Sequence, residues 1–173
     1  NNMLVGEQIS YYETGEVEMT TNWVDDLQQG KEIGYYESGE TKSTLNYVDD
    51  LRQGEGIAYY ESGEIESTVS FVDDLFQGEY KSYYKNGQLK TKVYFHNGYK
   101  QGMKKEYHSN GQLYSKGHVK HGFRHHSWEE YDANGQLYSK VSYKDGYRHG
   151  PSEEYVGGKL RSTRYYWNGV EIQ

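Results

Sequence analysis

Cysteine is absent from all 173 residues. Neither a disulfide framework nor a thiolate metal site can be built, and redox chemistry gives no reading of compartment. No apolar run approaches the roughly 18 residues that a membrane-spanning helix needs. Helical periodicity is missing too: no window carries a stripe of period 3.6, and the regular glycines would break one. Hydrophobic residues reach only 34% and the mean hydropathy is -1.10, a balance that would predict disorder without the 21 tyrosines. A tyrosine joins a large apolar ring to a polar tip, so it covers a sheet face that stays partly wet. The composition fits a thin, solvent-rich sheet better than a thick two-layer globule. The chain opens at Asn1 and not at methionine, which implies a segment upstream and leaves localisation open.

What is present is a period. Glycine recurs every 24 residues at Gly15, Gly39, Gly63, Gly87, Gly111 and Gly135, and again at Gly158 after one deletion. The text around it is shared: YYETGEV, YYESGET, YYESGEI, YYKNGQL, YHSNGQL, YDANGQL. A second series keeps the same step through Gly30, Gly54, Gly78, Gly102 and Gly150, with His126 standing in once. Such self-similarity marks an array whose units bury apolar surface against their neighbours, and its chemistry is that of an extended surface. The net charge of -7 hides a split: residues 1–80 hold 18 Asp+Glu against 3 Lys+Arg, and residues 81–173 hold 8 against 16 together with all seven histidines. An acidic and a basic stretch imply two partner preferences.

Strands follow from alternation. Leu89, Thr91, Val93 and Phe95 alternate with Lys90, Lys92, Tyr94 and His96, which is the period of a half-buried strand. The pattern recurs through Ile65, Ser67, Val69 and Phe71 and through Leu137, Ser139, Val141 and Tyr143. Asn86-Gly87 and Asn97-Gly98 are both strong signals for a two-residue type I′ hairpin turn. A second strand in each unit ends at a tyrosine present in all seven copies, Tyr11, Tyr35, Tyr59, Tyr83, Tyr107, Tyr131 and Tyr155. Eight residues upstream, Leu27, Leu51, Leu75, Tyr99, Phe123 and Tyr147 share its parity. The fold expected is all-β: a single repeat domain over residues 1–173, an elongated, twisted antiparallel meander of about seven hairpin repeats, with roughly 14 strands. Within it the acidic repeats run over about residues 6–80 and the basic, histidine-containing ones over about residues 81–173.

The text Y-Y-x-[STN]-G-[EQ]-[LVI]-x-[ST], followed by an aromatic residue and then by [LYF]-x-[QH]-G, resembles the variant MORN repeat. The match is densest in YYKNGQLKTKVYFHNGYKQG and YSKVSYKDGYRHG, residues 83–102 and 138–150. The resemblance extends to YwqK-like bacterial antitoxin and immunity proteins. It implies a meandering sheet of hairpins and a protein–protein role, often the neutralisation of a cognate toxin, in the bacterial cytoplasm or, after loss of a leader, the periplasm. The first three repeats depart from it, with Asp25-Asp26, Asp49-Asp50 and Asp73-Asp74 where later copies have Asn97-Gly98, His121-Gly122 and Asp145-Gly146. Aspartate tolerates left-handed backbone less well than glycine, so a different loop form is expected there.

Two rows are candidate partner-binding residues. Asp25, Asp26, Asp49, Asp50, Asp73 and Asp74 would line one sheet edge at about 10 Å intervals and steer a basic partner, or serve as ordinary turn residues bonding their own backbone. Tyr12, Tyr36, Tyr60 and Tyr84 have the parity opposite to the recurrent tyrosine. If the latter faces inward, this second row forms an exposed aromatic ladder of the kind enriched in interface hot spots, or merely stiffens the sheet. His125 and His149 occupy equivalent repeat positions about 10 Å apart, too far to share one zinc, and no metal or cofactor is expected. There is no nucleophile elbow, H-E-x-x-H or phosphate loop. Catalysis needs groups fixed around one point, while a repeat spreads them along a line. The expected activity is therefore non-enzymatic: binding of a cognate protein toxin or effector with a basic surface, with no nucleic acid involved. The alternative is a scaffold that meets anionic membrane through its basic half.

Overall fold

The computed structural model describes residues 3–173. Among them there is no helix, and seventeen strands account for the regular structure. A first compact unit ends at Gly87 and a second begins at Gln88. The first holds β1 (Gly6–Tyr11), β2 (Val17–Val24), β3 (Leu27–Gln28), β4 (Gly30–Tyr35), β5 (Thr41–Val48), β6 (Leu51–Arg52), β7 (Gly54–Tyr59), β8 (Ile65–Val72) and β9 (Leu75–Tyr83). The second holds β10 (Leu89–His96), β11 (Tyr99–Tyr107), β12 (Leu113–Lys120), β13 (Phe123–Tyr131), β14 (Leu137–Lys144), β15 (Tyr147–Val156), β16 (Lys159–Trp167) and β17 (Val170–Ile172). Within each unit consecutive strands pair antiparallel, as the repeat predicts. β3 with β4, and β6 with β7, are single strands interrupted at Gln29 and Gln53, whose amides donate to the carbonyls of Asn22 and Asn46 at 2.8 Å.

Two turn types alternate. At the glycine of the shared text, the Gly87 amide donates to the Tyr84 carbonyl at 2.8 Å, and only Gly87 of the pair Asn86-Gly87 has positive φ. Asn86-Gly87 is therefore not the type I′ turn that its sequence suggests. The turn is centred one residue earlier, on Lys85-Asn86, and the glycine supplies the left-handed residue that follows it. At the other end the type I′ form is found, with φ of 48° at Asn97 and 80° at Gly98. The aspartate pairs adopt the same form, with φ of 51° and 67° at Asp25 and Asp26, 49° and 65° at Asp49 and Asp50, and 48° and 65° at Asp73 and Asp74. The expected difference in loop form is thus absent, and hydrogen bonds from the neighbouring repeat to the side chains of Asp26, Asp49, Asp50, Asp73 and Asp74 help to hold the left-handed backbone. The deletion before Gly158 has a local effect as well: Gly157 and Gly158 both take positive φ, and Val156 pairs directly with Lys159.

Within each unit the buried side chains gather on one face. In the second unit these are Val93, Phe95, Ser115, Val119, Trp128, Val141 and Tyr166. In the first, among the described residues, only Thr21 and Phe71 reach the same degree of burial, joined by Gly56. Glycine is required where aromatic rings lie flat on the sheet. A Cβ on Gly117 would stand 2.4 Å from the Trp128 ring, and one on Gly56 would stand 2.8 Å from both Leu45 and Phe71. Cations cover the same face: the Arg124 guanidinium lies 4.3 Å from the Trp128 ring centroid, Arg52 lies 4.7 Å from Phe71 and Arg148 lies 5.2 Å from Tyr166. Long side chains thereby shield a sheet that has no second layer within its unit.

Candidate functional site

The second-row tyrosines are tied down. Tyr12, Tyr36 and Tyr60 are half-buried, and their hydroxyls donate to the carbonyls of Tyr35, Tyr59 and Tyr83 at 2.6, 2.7 and 2.7 Å. Each joins one repeat to the next. His108 takes the same place, its Nε2 lying 2.9 Å from the Tyr131 carbonyl; a carbonyl only accepts, so this nitrogen carries the proton. Tyr84 is half-buried too. The exposed ladder expected from parity is therefore corrected to a set of inter-repeat staples. The premise behind it also fails. The recurrent Tyr131 and Tyr155 lie on the face opposite Trp128, and their hydroxyls donate to Glu129 and Glu153 at 2.6 and 2.7 Å. Burial first, and then the hydrogen bond to the Glu129 carboxylate, raises the Tyr131 pKa. Glu129 itself is held low, chiefly by the Tyr131 hydroxyl and then by Lys116.

The aspartate turns carry a second set of staples. The amides of Leu4, Gln28 and Arg52 donate to Oδ1 of Asp26, Asp50 and Asp74 at 2.7, 2.6 and 3.0 Å. In return, the amides of Asp26, Asp50 and Asp74 donate to the carbonyls of those same three residues. Arg52 also grips Asp74 through Nε at 2.8 Å, and this hydrogen bonding holds the Asp74 carboxyl below the usual range. Asp49 and Asp73 accept from the side-chain amides of Gln29 and Gln53. In the later repeats the glycine amides of Gly122, Gly146 and Gly169 keep the backbone half of this arrangement, donating to Lys100, Arg124 and Arg148. The structure places the six aspartates on one row of turns in the first unit, and Asp25, Asp49 and Asp73 remain solvent-exposed.

Beside that row lies an exposed apolar surface. Each two-residue turn is closed by one cross-strand pair, and paired residues share a face. In the first unit these pairs are Val24–Leu27, Val48–Leu51 and Val72–Leu75, and every one of the six is 38–50% exposed. In the second unit they are His96–Tyr99, Lys120–Phe123, Lys144–Tyr147 and Trp167–Val170, whose apolar members are 59–67% exposed. Leu27, Leu51, Leu75, Tyr99, Phe123 and Tyr147, which share the parity of the recurrent tyrosine, therefore lie at the surface. The closing pair stands next to the pair that carries the buried row (buried Phe71 opposite Phe76, beside Val72–Leu75, for example), and in an extended strand neighbours point to opposite faces. The sequence signal was Val24, Val48 and Val72, which continue the strand one residue past the last inward position.

Among the described residues no group of three His, Asp or Glu side chains is placed to hold a metal ion. Glu106 is a partly buried carboxylate. Burial raises its pKa, but the Lys104 ammonium at 2.7 Å and the Ser115 hydroxyl at 2.8 Å more than offset this, so it is held low. It forms an ion pair on the packed face.

The family model described as MORN repeat variant matches residues 4–25, 28–49, 52–73, 76–97, 100–121 and 125–145. No curated protein matches the chain. Among solved structures, the chain is similar to the crystal structure of a protein with unknown function from Bacteroides fragilis, at 14% identity over 82% of this chain and 95% of that one, with a TM-score of 0.17.

Proposed function

We propose, for a chain that belongs to the MORN repeat variant family, that it is a protein-binding scaffold acting as an immunity protein or antitoxin, its acidic unit covering the basic face of a cognate bacterial toxin or effector. A repeat scaffold for binding is in keeping with the family. The observation that supports toxin covering is the row of exposed Val–Leu pairs in the first unit, bordered by Asp25, Asp49 and Asp73 at its turns. Apolar residues inside a charged rim are the usual anatomy of an interface: the apolar pairs contribute affinity, and the carboxylates contribute steering and register. The reading is non-enzymatic, since a repeat spreads its residues along a line and catalysis needs groups fixed around one point.

The test starts from the partner, identified by gentle purification of the tagged protein from the organism that encodes it. Asp25, Asp49 and Asp73 are then replaced together by asparagine, which tolerates left-handed backbone and preserves the turns. Affinity is expected to fall about tenfold at low salt, with a flatter salt dependence. Unchanged affinity and slope would remove the acidic row from the interface. One further reading rests on the second unit, where Lys120–Phe123 and Lys144–Tyr147 pair cations with exposed aromatics, a combination suited to an anionic membrane surface. It requires salt-sensitive co-sedimentation with phosphatidylserine vesicles and is discarded if none occurs at low salt.

A further inference from the structure

One copy in the array breaks its own glycine rule. Gly30, Gly54, Gly78, Gly102 and Gly150 all hold positive φ, and the sixth residue of this series is His126, with φ of 60°. A side chain kept in this region is strained, and strain retained in a single copy points from geometry towards function. The imidazole placed there has company. His126 borders an open cavity of about 400 Å³ together with His125, Ser127, Ser142, Lys144 and His149. The His125 and His126 ring centroids are 4.4 Å apart, His118 lies 6.1 Å from His126, and His149 packs on Trp167 at 4.3 Å.

The chemistry of this lining selects the sign of the ligand. The Asp145 amide donates to His125 Nδ1 at 3.3 Å. A neutral His125 must then carry its proton on Nε2 and present a donor. Lys144 adds an ammonium, and Ser127 and Ser142 add hydroxyls that can donate. No carboxylate belongs to the described lining; the Asp145 carboxylate stands 3.6 Å from His125 Nδ1, where it faces that ring. A cation needs converging lone pairs, and no three His, Asp or Glu side chains among the described residues are placed to hold one, whereas the Lys144 ammonium, the His125 Nε2–H and the serine hydroxyls are available as donors. A tetrahedral oxyanion has the matching set of acceptors. We propose that the cavity binds a phosphate-type oxyanion, and that His126 is the residue that converts a structural bulge into a binding site. The proposal does not depend on the toxin-binding reading, which concerns the other unit.

Such an oxyanion is offered by soluble phosphate and by phospholipid headgroups alike, and the experiment separates them. Inorganic phosphate is titrated into the full chain at constant ionic strength while the imidazole resonances are followed by NMR. Saturable shifts are expected at His125, His126 and His149, with none at His96 or His108. His126→Gly restores the residue of the other copies, so the bulge and the fold survive, and affinity is expected to drop about tenfold with the lost charge-assisted bond. Lys144→Gln should weaken binding without touching the bulge. In parallel, vesicles of phosphatidylcholine with and without phosphatidic acid are sedimented with both variants and the parent chain. Saturation by phosphate without vesicle binding identifies a soluble ligand. His126-dependent vesicle binding that free phosphate displaces identifies a headgroup. Linear, unsaturated shifts at all histidines, or equal affinity in His126→Gly, would overturn the proposal.

Discussion

The residues that close the two-residue turns differ between the two units while the backbone beneath them does not. In the first unit Val and Leu meet three times above aspartate pairs. In the second, a histidine or lysine meets an aromatic three times above turns that end in glycine. Burial differs in the same sense, with most of the fully buried side chains lying beyond Gly87. The comparison teaches that the repeat conserves what holds neighbours together and varies what faces water. The buried row, the left-handed turn and the amide-to-carbonyl link between successive turns persist, and the exposed pair changes from aliphatic beside acidic to aromatic beside basic.

The largest effect that would break this comparison lies in the buried row. Trp128 is fully buried on Gly117, and the equivalent positions in the first unit are Gln8, Glu32, Gly56 and Tyr80. Trp128→Ala is expected to cost about 3–5 kcal/mol, read as a lowered denaturant midpoint. A loss below about 1 kcal/mol would show that the packed row does not carry the second unit.

Next come the turns. Asp50→Ala leaves the left-handed strain in place and removes the acceptor for the Gln28 amide, and about 2 kcal/mol of destabilisation is expected. Asp50→Gly relieves the strain and converts the turn towards the form used in the second unit, so it should cost about 1 kcal/mol less. Equal losses from the two variants, measured by chemical denaturation, would mean that strain at Asp50 is negligible. The smallest effect belongs to the staples. Tyr36→Phe deletes only the hydroxyl that donates to Tyr59 and should cost about 1 kcal/mol, while leaving partner affinity unchanged if the tyrosine is structural. A loss of affinity with no loss of stability would return that row to the interface.

Legibility followed the range of the interaction. The repeat, the all-β class, the antiparallel meander and the inward row through Val93 and Phe95 could be read directly, because each depends on spacing along one strand or across one turn. The failures share one cause. Parity carried from Leu27 to Tyr35, or from Tyr99 to Tyr107, fixes only that two residues share a side. Which side is packed depends on the neighbouring strands, and there the register shifts at bulges (between Lys92 and Tyr94, for example). Asn86-Gly87 misled for a similar reason. A dipeptide signals left-handed capacity, and the hydrogen bond from Gly87 to Tyr84 decided that only one of the two residues would use it.

The sequence by itself determined the number and length of the hairpins, the family, and the separation of acidic from basic charge, since glycine spacing, alternation and composition are local quantities. Only the tertiary structure decided which tyrosines became staples, which leucines and aromatics reached solvent, and that His126 shares a cavity with His125 and His149. Those outcomes depend on cross-strand partners 20 or more residues away, and each is set by which face of the sheet its neighbours leave open.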